Sequence, residues 1–147
     1  MYRLVALGCL AVACGPTPTR PTAQPATPTL PDVPFSELDL DQRAEFMKQR
    51  VVPAMAPLFR AHDAKRYAEF GCPTCHGKGA TDGDFEMPNA GLPMLELSDL
   101  GRYDPADIAW MTQQIKPTMA KLLREPEHSA ENPAGFGCLD CHTPKSP

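Results

Sequence analysis

Apolar residues recur at helical spacing in two separate stretches of this chain. Met47, Val51, Met55 and Leu58 share one helix face, with His62 closing the series, and Met111, Ile115, Met119 and Leu122 do the same further on. Asp39 with Gln42, and Asp104 with Pro105 and Asp107, are the residue types that begin helices, because a short acceptor side chain can take a free N–H of the first turn. Pro53 and Pro117 fall in the middle of the two patterns. Each removes a backbone donor, so the sequence predicts a kink or a division of each helix there. The fold class expected is mostly α, with much irregular loop.

The two stretches are copies of one another. Phe46 to Arg60 lines up without gaps on Trp110 to Arg124, with the shared pattern aromatic-M-x-Q-x-[VI]-x-P-x-M-A-x-L-[FL]-R. Self-similarity of this kind marks a repeated structural unit. The expected organisation is a domain over 36–147, with unit 1 over about 36–80 and unit 2 over about 104–147. Between them, Gly77 to Gly101 reads as loop, with a short helical turn around Leu95 to Leu100.

Composition narrows the class. The 147 residues suffice for one modest domain, proline is high at 18, and aromatics are few. A core with so little aromatic area is marginal by itself. The net charge of -4, with no basic run, makes nucleic acid and anionic lipid surfaces poor partners. Residues 1–14 have one basic residue, Arg3, and then an apolar run of about half the roughly 20 residues that a membrane span requires. This reads as an export signal. Its ending, Leu10-Ala11-Val12-Ala13-Cys14-Gly15, resembles a bacterial lipoprotein signal, which implies cleavage before Cys14 and a lipid anchor on it. Cys9 also resembles the pattern but leaves a very short signal. Residues 15–35 are rich in Pro and Thr without apolar periodicity, and they read as a disordered tether.

Four of the six cysteines lie in two further copies. Phe70-Gly71-Cys72-Pro73-Thr74-Cys75-His76 and Phe136-Gly137-Cys138-Leu139-Asp140-Cys141-His142 are both F-G-C-x-x-C-H, and C-x-x-C-H is the attachment pattern of c-type haem. Two thiols about one turn apart can each form a thioether to a haem vinyl group, and the adjoining imidazole reaches the iron. Two covalently attached haem c groups are therefore expected, on Cys72, Cys75, Cys138 and Cys141, with His76 and His142 as proximal ligands. A zinc site of two C-x-x-C pairs is the alternative, but four thiolates would close the tetrahedron and leave both histidines unexplained. A disulfide framework leaves them unexplained as well.

The distal ligand decides between an electron carrier with a closed sixth position and an open site for ligands or peroxide. Met55 and Met119 occupy equivalent positions on the repeated helices and are the leading candidates. His62 and His128, each upstream of its own motif, would instead give bis-His ligation. Met87, followed by Pro88, is a further candidate for the first haem, and Met47 and Met111 are equivalent to each other but read more simply as core. A helix methionine preceding each C-x-x-C-H resembles the cytochrome subunit of photosynthetic reaction centres, roughly over residues 40–76 and 104–142. The resemblance implies Met/His ligation. Because that subunit usually has four motifs and this chain has two, it does not imply a reaction-centre role.

The function expected is that of a periplasm-facing, membrane-tethered dihaem cytochrome c, not an enzyme, passing electrons between other redox proteins at the membrane surface. Two alternatives stand beside it. One is a dihaem peroxidase-like enzyme or gas-binding haem sensor, with His62 or His128 as distal acid/base. The other is a haem subunit of a larger respiratory complex, whose sign would be an exposed apolar patch on the helix faces carrying Phe59 and Leu123. The second haem, with five residues of chain after His142, is expected to be the more exposed unless the first unit shields it.

Overall fold

The computed structural model describes residues 29–145. Cys14, the stretch expected to be an export signal and most of the Pro/Thr-rich stretch lie outside the described residues. Among the described residues the chain is 52% helical and has no strands.

Helix α1 (Leu40–Phe46) begins behind Asp39 in a reciprocal cap. The Gln42 N–H donates to Asp39 Oδ1 at 2.9 Å, and the Asp39 N–H donates to Gln42 Oε1 at 3.0 Å. The chain continues without a break through a π-helical turn, Met47–Val51, into α2 (Val52–His62). A short helix, α3 (Cys72–His76), carries the first cysteine motif. The later half repeats the order. Helix α4 (Pro105–Trp110) starts behind Asp104, which accepts from the Ala106 N–H at 2.8 Å, and passes through the π turn Met111–Ile115 into α5 (Lys116–Leu123). The second motif opens on a 3-10 turn, Cys138–Asp140.

The prolines neither divide nor end the helices. In a regular helix the Pro53 ring would collide with the carbonyl four residues back and supply no N–H to it. The wider π turn just before the proline avoids this, with the Val52 N–H bonding to the Met47 carbonyl, five residues back. Pro117 is accommodated identically, the Lys116 N–H reaching the Met111 carbonyl. The turn also resets the helical phase. At about 100° per residue, Met47 and Phe59 would lie about 120° apart on a straight helix, and one inserted residue brings Met47, Val51, Met55 and Phe59 into an arc of about 80°.

That phase decides the core. Val51, Met55, Phe59 and Trp110 form one buried cluster, and Ala120, Leu123 and Phe136 form another. Phe46, Met47 and Met119 pack against both and join them. The packing is reciprocal, since α2 lies against the second π turn and α5 against the first. Phe59 and Leu123, the positions expected to mark an exposed patch, are each only 6% exposed. The four-residue spacing Val51-Met55-Phe59 keeps these residues on one inward face of α2, and the π turn brings Met47 into line with them. Exposed apolar side chains occur instead at Leu40, Phe85, Met94, Leu97, Leu100 and Leu139.

The connection 77–101 does more than link. It contains 3-10 turns at Lys78–Asp82 and Leu100–Arg102, the latter close to the helical turn expected at 95–100. Its middle lies beside the C-terminal segment, with parallel bridges Asn89 to His142 and Leu95 to Pro144. The Leu95 N–H donates to the Thr143 carbonyl at 3.0 Å and the Lys145 N–H to the Leu95 carbonyl at 2.8 Å. The connection, and not the first unit, therefore lies against the short tail after the second motif. At the other end, Phe35 packs on Phe46 with ring centroids 5.4 Å apart, and Arg124 donates to the Asp32 carbonyl, which ties the last described part of the Pro/Thr-rich stretch to α5.

Candidate functional site

Both cysteine motifs are built in the same way. The N–H of the glycine before the first cysteine donates to the side chain three residues on, from Gly71 to Thr74 Oγ1 at 3.1 Å and from Gly137 to Asp140 Oδ2 at 2.7 Å. This tightens each C-x-x-C into a turn. Cys72, Cys75, Cys138 and Cys141 are all partly buried and form no disulfides. The second cysteine of each pair faces the core, Cys75 against the cluster of Met55 and Cys141 against that of Ala120 and Leu123. Burial, helped by Cys72, pushes the Cys75 thiol up to about 11. Burial pushes Cys141 up to about 12, with the nearby Cys75, Asp140 and Cys138 adding to it. Both free thiols are therefore held in their neutral form. The two motifs are neighbours, since Asn89 bonds to the carbonyls of both His76 and Cys141.

The motif histidines differ in their support. His142 Nδ1–H donates to the Pro93 carbonyl at 2.9 Å, which fixes the tautomer and leaves the Nε2 lone pair free for a metal. His76 Nδ1 is buried with no partner. Burial lowers the pKa of this imidazole, opposed by the Phe85 backbone and by Asp84, although Nδ1 itself meets no group at hydrogen-bonding geometry. The Phe85 ring stands edge-on to it at 5.5 Å. A cleft of about 380 Å³ opens beside His76, lined by Lys78, Asp84, Glu86 and Asn89 among others. A second, of about 330 Å³, lies at the other motif between His128, Leu97, Cys138 and Leu139. Both are at the lower end of the roughly 300–1,000 Å³ usual for ligand sites.

The candidate distal residues fall in distinct surroundings. Met55 is 1% exposed and shares its cluster with Cys75, while Met119 packs on the cluster that holds Cys141 as well as on that of Met55. Neither methionine lines either cleft. His62 is engaged elsewhere: Nε2 is 2.6 Å from Asp107 Oδ1, and the ring is stacked on Trp110 at 3.9 Å. His128 is exposed. Its Nδ1–H donates to the Pro133 carbonyl at 2.9 Å, and the pairing of 126–128 with Phe136 brings its Cβ against Gly137, where a side chain would come within 2.9 Å of it. Met87 is partly buried in the connecting loop, outside both clusters and both clefts. Among the described residues, no three His, Cys, Asp or Glu side chains converge where a metal ion could be held by protein alone.

No protein family, characterised protein or solved structure matches this chain. The meaning of the site therefore rests on its own residues. Three of these carry no sequence signal as site residues: Asn89, Pro93 and Asp107. Asn89 before Ala90-Gly91 is legible as a turn, but its partners across the chain are not, and a backbone carbonyl such as that of Pro93 is available at every residue.

Proposed function

We propose that this chain is a dihaem c-type electron carrier built from two duplicated helix–turn–C-x-x-C-H units. The observation that carries the reading is the occurrence of two identically capped C-x-x-C-H turns, side by side, with thiols free of disulfides and with His142 oriented by the Pro93 carbonyl. The donor sets fit haem c: thioether attachment leaves an uncharged sulfur at Cys75 and Cys141, the two cysteines packed on the core, and the hydrogen bond from His142 Nδ1–H to the Pro93 carbonyl leaves Nε2 available to an iron. Cys72, Cys75, Cys138 and Cys141 hold the two groups covalently, and His76 and His142 are the proximal ligands. Haem held in this way supplies reversible one-electron chemistry.

The residues around the motifs have simpler tasks. Met55 and Met119 offer thioethers from equivalent positions of the two helices, each on the same cluster as a motif cysteine, and are the distal ligands of this proposal. The aromatic side chains Phe59, Phe70, Trp110 and Phe136 exclude water from the region between the motifs. At the second motif, the contact of His128 with Gly137 supports a second reading in which His128 replaces Met119. Cys14, outside the described residues, is the proposed lipid anchor of an exported, envelope-facing protein, and the partners are other redox proteins at the membrane surface.

The test is intact mass together with carbon monoxide binding to the fully reduced protein. Two covalent haems and no spectral change with carbon monoxide are expected of a carrier with both irons closed. A chain that matures without haem rejects the proposal, and prompt binding at one iron replaces the carrier with the enzyme or gas sensor.

A further inference from the structure

The connecting loop contains one residue whose polar groups are all engaged, and the engagement spans both motifs. Asn89 Nδ2–H donates to the His76 carbonyl at 2.8 Å. Its backbone N–H donates to the Cys141 carbonyl at 3.0 Å. Oδ1 accepts from the Gly91 N–H at 2.7 Å, and the Asn89 carbonyl accepts from the Leu92 N–H at 3.1 Å. Both side-chain contacts are to backbone groups of fixed polarity, so the amide can point only one way.

The two carbonyls are not arbitrary ones. His76 is the last residue of α3, and a helix leaves its final carbonyls without partners. Gly77 turns the chain away at once with φ +67, and a side chain there would meet Asn89 Oδ1 at 3.0 Å. The Cys141 carbonyl stands one residue before the corresponding end of the second motif, His142. Four residues beyond Asn89, the Pro93 carbonyl takes the His142 Nδ1–H. One five-residue segment thus holds the backbone of the first motif, the backbone of the second, and the ring of His142.

We infer that Asn89 is a positioning residue that sets the two haem-bearing motifs relative to each other, so that its side-chain amide controls the electronic coupling between the haems. The inference rests on the proposed haem attachment. Asn89→Asp keeps the shape and the acceptor for Gly91 but has no donor for the His76 carbonyl, and Asn89→Ala loses both side-chain bonds. Gly91→Ala leaves the asparagine in place and crowds it, since the added Cβ would lie 2.8 Å from Oδ1.

The experiment compares these holoproteins with the wild type by intact mass, by circular dichroism in the Soret region and by redox titration. The expected result is two covalent haems in each variant, a smaller exciton couplet, and a changed separation between the two midpoint potentials. Asn89→Asp and Asn89→Ala should show the full effect, Gly91→Ala a smaller one, and Asn89→Gln, which retains a donor amide, a partial return. An unaltered couplet and separation in Asn89→Asp and Gly91→Ala, with both haems attached, overturn the inference while leaving the electron-carrier reading intact. Absence of haem from the wild type removes that reading instead.

Discussion

Replacement of Phe59 by alanine should cost a substantial part of the margin by which this domain is folded. The ring is 6% exposed and meets Tyr67, Phe70 and Trp110 with centroids 5.0, 4.8 and 4.8 Å away, the first and last edge-on. Truncating a buried Phe costs about 3–5 kcal/mol through lost transfer energy and the cavity left behind, and the aromatic contacts are already part of that figure. Domains of this size are stable by about 5–15 kcal/mol. At a urea slope of about 2 kcal/mol per M, the midpoint should fall by about 2 M. Phe59→Leu keeps most of the volume and should lose about 1 kcal/mol. Trp110, the only tryptophan of the chain, is one of the touching rings and reports the transition by fluorescence. On the proposed thioether attachment, haem stays on the unfolded chain, so no dissociation step obscures the midpoint. A shift of less than about 0.3 M for Phe59→Ala, the size of an ordinary surface substitution, would refute the inward phase assigned to α2 after the π turn.

Gly77→Ala should destabilise by about 1–3 kcal/mol, because φ +67 with ψ -169 is a region essentially reserved for glycine; an unchanged melting temperature contradicts this. His62→Ala is expected to leave the absorption spectra and potentials of both haems unchanged, since the ring is held by Asp107 and Trp110. Loss of a six-coordinate spectrum in that variant would make His62 a ligand. Met55→His should lower the potential of one haem and spare the other, and identical potentials would remove Met55 from the distal position. Cys14→Ser should move the protein from the membrane to the soluble fraction, and its retention there would reject the lipid anchor.

The sequence pattern was informative where chemistry is local. Capping by Asp39 and Asp104, the two helices, and the two motif turns depend on residues within a few positions of one another, and each is present where the spacing places it. The π turns are legible only as a disturbance: Pro53 and Pro117 signal that a regular helix cannot continue, but not that a widened turn resolves the conflict and brings the residues before it into phase with those after it. The surroundings of the candidate ligands were not legible at all. His62 and His128 occupy matching places before their motifs, yet one is committed to Asp107 of the other half and the other lies exposed against Gly137. That difference arises from packing between halves, which repetition in a sequence does not encode.

The loop between the repeats has a consequence for where this protein can be cut. A fragment ending after the first motif would leave the His76 carbonyl without Asn89, and one starting at the second helix would leave the His142 ring without Pro93 and the C-terminal tail without Leu95. The two similar stretches of sequence are therefore not two independent modules. A cut between 77 and 88 should deprive the first motif of Asn89, and one between 96 and 101 should deprive the second of Pro93 and its tail of Leu95, so no cut in this loop leaves both motifs fully supported.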